Sequence, residues 1–386
     1  MGSSSENDAD DLVARIHADP GRCVLAVTGG GSRAVSRLLS VPGASRTVLE
    51  AVVPYAASAL GEFLGETPES ACSERTARRL AMAAWRRACR LAPEHAEQLV
   101  GIGCTAGLST DRQRRGARRF WIAAQTGTRT AVYGLELGAK PRSRSEEEDL
   151  AADRLLALLA HALGLTEFVY ADGGLDAAAG DGAVWREAIA SPPLAAVFRG
   201  AADRCLIQNG AARVPEARVV FPGSFDPMHN GHREMMAIAG EITGAPVVCE
   251  LSLTNVDKPP LDLLDVDRRL AGMQGGAVLV TAAPTFVGKA GVAPGATFVV
   301  GVDTIARIGD ARYYDGDSDK RDAAIAELRA RGCRFLVFSR VLEGQLASLE
   351  DVDLPPPLRA LCDGVPPERF CNDVSSTAIR NGEQSG

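Results

Sequence analysis

The sequence predicts an α/β protein of two domains. Three observations carry that expectation. The chain has 386 residues, above the roughly 250–300 at which one hydrophobic core usually gives way to two. Short apolar runs of strand length alternate with stretches of helical spacing, the pattern of a largely parallel sheet covered by helices. Hydrophobic residues make up 46% and charged residues 24% of the chain. These are ordinary globular values, enough for two cores and without the composition of a disordered chain.

The elements follow in order. Residues 8–18 have helical spacing, with Leu12, Val13 and Ile16 on one side. CVLAV at 23–27 is a short strand that runs into Thr28, Gly29, Gly30, Gly31 and Ser32, then a helix over 33–40. Residues 74–91 form a helix that stops before Pro93. LVGIGC at 99–104 is a buried strand, and FWIAAQT with TAVYGLEL suggests a hairpin turning near Gly127. Arg144–Asp149 opens a helix that turns apolar and reaches about residue 163. Residues 166–216, with DGG, an Ala/Gly/Asp cluster and Pro192–Pro193, are expected to connect the domains through helices. Within them LAAVFRGAADRCLI (194–207) is amphipathic enough to pack on a domain. The domains are thus expected at 1–165 and 217–386. The second opens on the strand RVVF (218–221); a helix follows to about 243, then VVCELSL (247–253), AVLVT, TFVVG and RFLVF. In such a sheet the ligand lies beyond the carboxyl ends of the strands.

A net charge of −7 and a pI near 5.4 argue against a nucleic-acid partner, which needs a clustered basic face. The one basic run, Arg112, Arg114, Arg115, Arg118 and Arg119, reads as a solvated loop and strand edge. Nine cysteines form no C-x-x-C and are odd in number, so reduced buried thiols are expected rather than disulfides or a zinc site. That points to an intracellular, most simply cytoplasmic, setting, with an organelle left open. MGSSSENDADD lacks the apolar core of a secretory signal, and no run of about 18 apolar residues predicts a membrane span.

The strongest motif is GSFDPMHNGH at 223–232, set between a strand and a helix. Gly223 admits close approach of backbone to phosphate oxygens, and Pro227 stiffens the loop. His229 and His232 lie three residues apart and can point into one site, and Gly231 opens a helix whose N-terminal amides attract anions. Imidazoles there can donate hydrogen bonds to a triphosphate as charge builds. Two of the chain's five histidines fall in this one loop, which favours a functional over a structural role.

The loop resembles the signature of the nucleotidylyltransferase superfamily, glycine, Ser/Thr, Phe-Asp-Pro and then His-x-Gly-His. A second stretch, Val374–Ser375–Ser376–Thr377–Ala378–Ile379–Arg380, resembles the family's ISSTxIR motif. The resemblance implies a Rossmann-like parallel sheet, with Gly223, Ser224, Phe225, Gly231, Ser375, Ser376 and Thr377 around the nucleotide. His229, His232 and Arg380 would stabilise charge during transfer. It also implies Mg²⁺ carried with the nucleoside triphosphate rather than in a protein-held metal site. Among such enzymes the sequence looks most like those that join AMP from ATP to nicotinamide or nicotinate mononucleotide, releasing pyrophosphate. Asn255–Pro260 falls where these carry a substrate loop, with Lys258 toward a phosphate. Val300–Gly301–Val302–Asp303 resembles their Gly-x-Asp, with Asp303 toward a ribose hydroxyl. Where the family has a stacking tryptophan this chain has Arg312–Tyr313–Tyr314, so a tyrosine would stack. A phosphopantetheine adenylyltransferase, a cytidylyltransferase or a non-catalytic nucleotide-binding scaffold are the alternatives.

VTGGGSRAVSRLLSVPGAS, VLEAVVPY and GIGCTAGLS together resemble the CinA-type C-terminal domain, which includes nicotinamide mononucleotide amidohydrolases. The resemblance implies a pocket containing Thr28, Gly30, Gly31, Ser32, Tyr55 and Thr105. Val27 and Thr28 replace the family's Glu-Ser, and a hydroxyl without its activating neighbours is a poor nucleophile. A degenerate domain that senses a ligand, or joins copies of the chain into a homo-oligomer, is expected.

Overall fold

A computed structural model describes residues 3–110, 116–169, 182–209, 217–256, 258–273, 275–342, 345–370 and 382. The chain divides into two compact units, residues 1–195 with 262–264, and residues 196–261 with 265–386.

The first unit runs α1 (Ser3–Ala18), β1 (Arg22–Thr28), α2 (Ser32–Ser40), α3 (Ala44–Thr47), β2 (Val48–Val52), α4 (Ala57–Leu64), α5 (Glu74–Leu91), β3 (Leu99–Gly107), β4 (Arg118–Gln125), β5 (Arg129–Leu137), α6 (Arg144–Ala162) and β6 (Gly182–Ile189). Its sheet has the order β2-β1-β3-β4-β5-β6. β1 pairs in parallel with β2 and β3, and the strands from β3 to β6 pair antiparallel, so the predicted hairpin is β4–β5. Val13 and Ile16 are fully buried, as their spacing predicts. The glycines of LVGIGC have a packing reason. A Cβ on Gly101 would lie 2.2 Å from backbone atoms of Ala81 and Trp85, so only glycine lets α5 rest directly on β3. α5 starts on Ser73, whose hydroxyl accepts from Thr76 N–H at 3.1 Å, and α6 on a Ser143–Glu146 capping box.

After α7 (Pro192–Phe198), the second unit runs β7 (Arg204–Asn209), β8 (Val219–Pro222), α8 (Asn230–Thr243), β9 (Val247–Ser252), α9 (Leu263–Gly272), β10 (Gly276–Thr281), α10 (Phe286–Val292), β11 (Thr297–Gly301), α11 (Val302–Gly309), α12 (Ser318–Ala330), β12 (Arg334–Phe338), β13 (Arg340–Leu342), β14 (Gln345–Ala347), α13 (Pro356–Arg359) and β15 (Cys362–Gly364). The sheet order is β15-β12-β11-β8-β9-β10-β7. Leaving out β7, the strands run 3-2-1-4-5-6 from β10 to β15, the doubly wound order of dinucleotide-binding sheets. All pairs are parallel except β7 on β10. Phe298, Phe335 and Phe338 are fully buried, each worth on the order of 1.5–3 kcal/mol of apolar burial. The strand order reverses between β8 and β11, which is where such sheets bind ligands.

The stretch expected to be a helical connector carries two strands. LAAVFRGAADRCLI is not one amphipathic helix: Gly200 adopts φ 71°, and the chain emerges as β7. Cys23, Cys104, Cys205, Cys249 and Cys333 are buried thiols. Burial holds Cys23 and Cys249 up at about 12, which leaves them unreactive. Arg118 of the basic run pairs at 2.6 Å with the buried Glu147. Arg112, Arg114 and Arg115 lie outside the described residues. Among the described residues no helix is long and apolar enough to cross a membrane.

Candidate active site

β8 delivers the chain to the switch point, and the loop 223–229 turns it into α8. Gly223 is tied to the next strand by its N–H to Glu250 O at 3.0 Å. A Cβ there would lie 2.6 Å from the ring of Phe225. Gly223 thus makes room for a buried phenyl group. Phe225, at φ 46° and 1% exposed, contributes its side chain to the core. Asp226 ion-pairs with Arg268 and, at 3.4 Å, with Arg269, which also donates to Ser224 O at 2.7 Å. α9 therefore clamps the loop from one side.

The helix begins at Asn230, one residue earlier than expected, because His229 is extended (φ −131°, ψ 174°) and stands at the N-cap. Gly231 is buried in its first turn. The His229 and His232 rings stack with centroids 3.7 Å apart and planes at 28°. The backbone N–H of His229 donates to His232 Nδ1 at 3.3 Å. That acceptor role puts the proton of neutral His232 on Nε2, where it serves as a donor. Among the described residues nothing hydrogen-bonds the buried His229 Nδ1, a state that a ligand would relieve.

Both rings resist protonation. Burial lowers His229, helped by the charges of Arg340 and Arg233. Burial, His229 and the same two guanidiniums lower His232 to about 3. Both depressions are from the ordinary 6.5. Below that pH the unfolded chain takes up protons that the folded loop refuses. The stabilising contribution is full above 6.5 and is lost as pH falls toward 3. Both shifts favour the neutral rings. The pH profile of kcat/KM is therefore expected to show no acid limb near pH 6.5 from this pair. A limb there that disappears in His232→Asn would contradict the assignment.

Other strand ends converge on this place. Lys258, after β9, donates to Ser224 Oγ at 2.9 Å, which brings the expected substrate-loop lysine onto the signature loop. Asp303 lies in the first turn of α11, two residues beyond Gly301, and a Cβ on Gly301 would meet its carboxylate at 2.6 Å. Arg340, just past the carboxyl end of β12, reaches Asp303 at 3.3 Å and is near enough to the histidine pair to disfavour its protonation. Arg340 was not singled out in the sequence; its signal is an arginine two residues past the end of a strand of the parallel sheet. Tyr314 and Tyr313 end a short 3₁₀ turn, Ala311–Tyr314. The Tyr314 hydroxyl donates to Ile308 O at 3.1 Å, while Tyr313 is exposed. Ser375, Ser376, Thr377 and Arg380 lie outside the described residues.

The N-terminal unit has a cleft of about 520 Å³ lined in part by Thr28, Gly30, Ser32 and Tyr55. The other two expected pocket residues do not line it. Gly31 abuts Cys104 Sγ, and buried Thr105, in register with Thr28, donates its hydroxyl to Ala71 O.

The Cytidylyltransferase-like family model matches residues 220–382. Among curated proteins none matches the chain. Solved structures similar to about the N-terminal two fifths include the competence/damage-inducible protein CihA of Agrobacterium tumefaciens, 20% identical, covering 40% of this chain and 95% of its own at a TM-score of 0.33. A competence-damaged protein (CinA) superfamily protein of Escherichia coli is 20% identical over 41% of this chain and 92% of its own, TM-score 0.33. One of Enterobacter cloacae is 18% identical over 41% and 92%, TM-score 0.34. With the signature loop at the switch point of a doubly wound sheet, residues 220–382 are a cytidylyltransferase-like domain of the nucleotidyltransferase superfamily.

Proposed function

We propose that the C-terminal domain transfers AMP from ATP to nicotinamide or nicotinate mononucleotide. A phosphate oxygen of the mononucleotide attacks the α-phosphorus in line. The bond from the α-phosphorus to the α,β-bridging oxygen breaks, and pyrophosphate leaves. No side chain becomes covalently attached; the domain positions the reactants and stabilises charge. Mg²⁺ enters with the triphosphate as part of the substrate. His229 and His232, neutral and stacked at the head of α8, donate to the phosphates. Asp303 accepts from a ribose hydroxyl, and exposed Tyr313 stacks on the pyridine ring. Arg380 joins the triphosphate from the tail.

The observation that supports a phosphate-bearing acceptor is Lys258 on Ser224, a cation held beside the signature loop. A second reading, cytidylyl transfer, is favoured by the description of the matching family. Pyrophosphate release is the test, with ATP or CTP against nicotinamide mononucleotide, nicotinate mononucleotide, phosphopantetheine and choline phosphate. Turnover is expected with ATP and a pyridine mononucleotide. Lys258→Ala is expected to raise the acceptor KM about 10-fold, with kcat less affected, as for loss of one charge-assisted contact. Turnover only with a non-pyridine acceptor, or only with CTP, would remove this reading.

A further inference from the structure

Two neighbouring strands of the second sheet end side by side, and a charged residue stands at the same offset beyond each. β11 and β12 pair in parallel, with Gly301 opposite Phe338. Asp303 lies two residues past Gly301, and Arg340 two residues past Phe338. A Cβ on Gly301 would lie 2.6 Å from the Asp303 carboxylate and 3.9 Å from Arg340 Cδ, so any other residue there would push the carboxylate aside. With glycine in place, Arg340 Nη1 donates to Asp303 Oδ1 at 3.3 Å. The pair is loosely held. The Arg340 side chain is 40% exposed and that of Asp303 26%, and ion pairs so open to water contribute little.

The same guanidinium is close enough to the head of α8 to disfavour protonation of both His229 and His232. That helix head gathers positive potential from its N-terminal amides and from Arg340 and Arg233, and it is the natural seat of an anion. Two unsatisfied groups mark the same end of the sheet. The buried His229 Nδ1 and the hydroxyl of Ser339, which directly precedes Arg340 and is 2% exposed, find no hydrogen-bond partner among the described residues. Buried polar atoms in that state point to a further group that meets them. Asp303 has the wrong sign to be that group's neighbour unless its charge is offset. A polyphosphate, with several negative charges and oxygens placed for a guanidinium fork, outcompetes a single half-exposed carboxylate for Arg340.

We propose that Arg340 is a further phosphate-binding residue of this site and that Asp303 holds it in reserve. An arriving triphosphate takes the guanidinium, and the carboxylate is then free to accept from a ribose hydroxyl. The inference rests on the reading of the site as one for a nucleoside triphosphate, and it holds for any base and any acceptor.

The test is calorimetric titration of the full chain with inorganic triphosphate, which has neither base nor ribose. Arg340→Ala is expected to weaken its binding about 10-fold, the size of a lost charge-assisted contact. Asp303→Asn is expected to tighten it about 3-fold, because the competitor for the guanidinium is gone. In the Arg340→Ala background the same Asp303→Asn change is expected to lose most of that effect, since the two residues act through one another. Binding indifferent to Arg340→Ala overturns the proposal, and so does weaker binding in Asp303→Asn. An Asp303→Asn gain that persists in full without Arg340 shows a carboxylate acting by its own charge, and overturns the reserve role. Both side chains are partly exposed, and Asp303→Asn keeps the test open if Arg340→Ala does not fold. Pyrophosphate release by the same preparations reports separately on the transfer reaction. If it fails with every acceptor while Arg340→Ala still weakens triphosphate binding, the proposed reaction falls and this inference does not.

Discussion

Replacing His232 by alanine is expected to lower turnover at least ~10²-fold, about 2.7 kcal/mol of lost transition-state stabilisation. The size follows from how the ring is held. Its Nδ1 accepts the His229 N–H at 3.3 Å, so the donor at Nε2 is set before substrate arrives. Burial keeps the ring neutral, and Phe221 and Phe225 fix its plane at centroid distances of 5.8 Å and 5.2 Å. A preoriented donor costs no reorganisation when charge develops on the phosphates. The ring also anchors the loop, so alanine alone does not separate chemistry from structure. His232→Asn does, because its amide oxygen can keep the acceptor role toward His229 N–H while no donor remains at the Nε2 position. Turnover by the asparagine variant is expected to stay near the alanine level. Recovery to the wild-type rate would show that the ring only props the loop, and the site assignment would fail.

What the sequence disclosed was local. A Gly/Pro loop with two histidines between an apolar strand and a helix is readable because its chemistry is packed into ten residues, and the strand runs of the parallel sheet are readable because both faces are buried. What it concealed depends on partners far along the chain. Arg340 gains meaning only from Asp303, 37 residues earlier, brought beside it by the pairing of β11 with β12. β6 was hidden because its residues are largely exposed and include Arg186 and Glu187; its place is set by β5. Glu146, Glu147 and Glu148 looked like one charged helix start, yet they do three different things. Glu146 closes the capping box, Glu147 is buried against Arg118, and Glu148 turns to the cleft. A signal for the last two was present. They lie four residues before Ala151 and Ala152, on the face that α6 buries.

The same dependence on distant partners governs the second large effect, at the carboxyl end of β9. Lys289→Met is expected to destabilise the C-terminal domain by about 3–5 kcal/mol, the usual result of leaving one member of a buried ion pair behind. Glu250 is 1% exposed and Lys289 7%. The ammonium lies 2.7 Å and 2.9 Å from the two carboxylate oxygens and also donates to Ala283 O at 3.0 Å. Thr281 completes the shell through its hydroxyl. Without the ammonium, Glu250 keeps a desolvated charge with one hydroxyl to meet it. A loss of this size is a large share of the about 5–15 kcal/mol that typically holds a domain folded. Function is affected as well, because Glu250 O accepts the Gly223 N–H that starts the signature loop. Thermal and urea unfolding of the full chain measures the effect. Glu250→Gln combined with Lys289→Met is expected to recover much of the loss, since the pair then leaves no uncompensated charge. If Lys289→Met alone melts with the wild type, the ion pair is not what secures this end of the sheet, and the loop must be held from α9 by Arg268 and Arg269 instead.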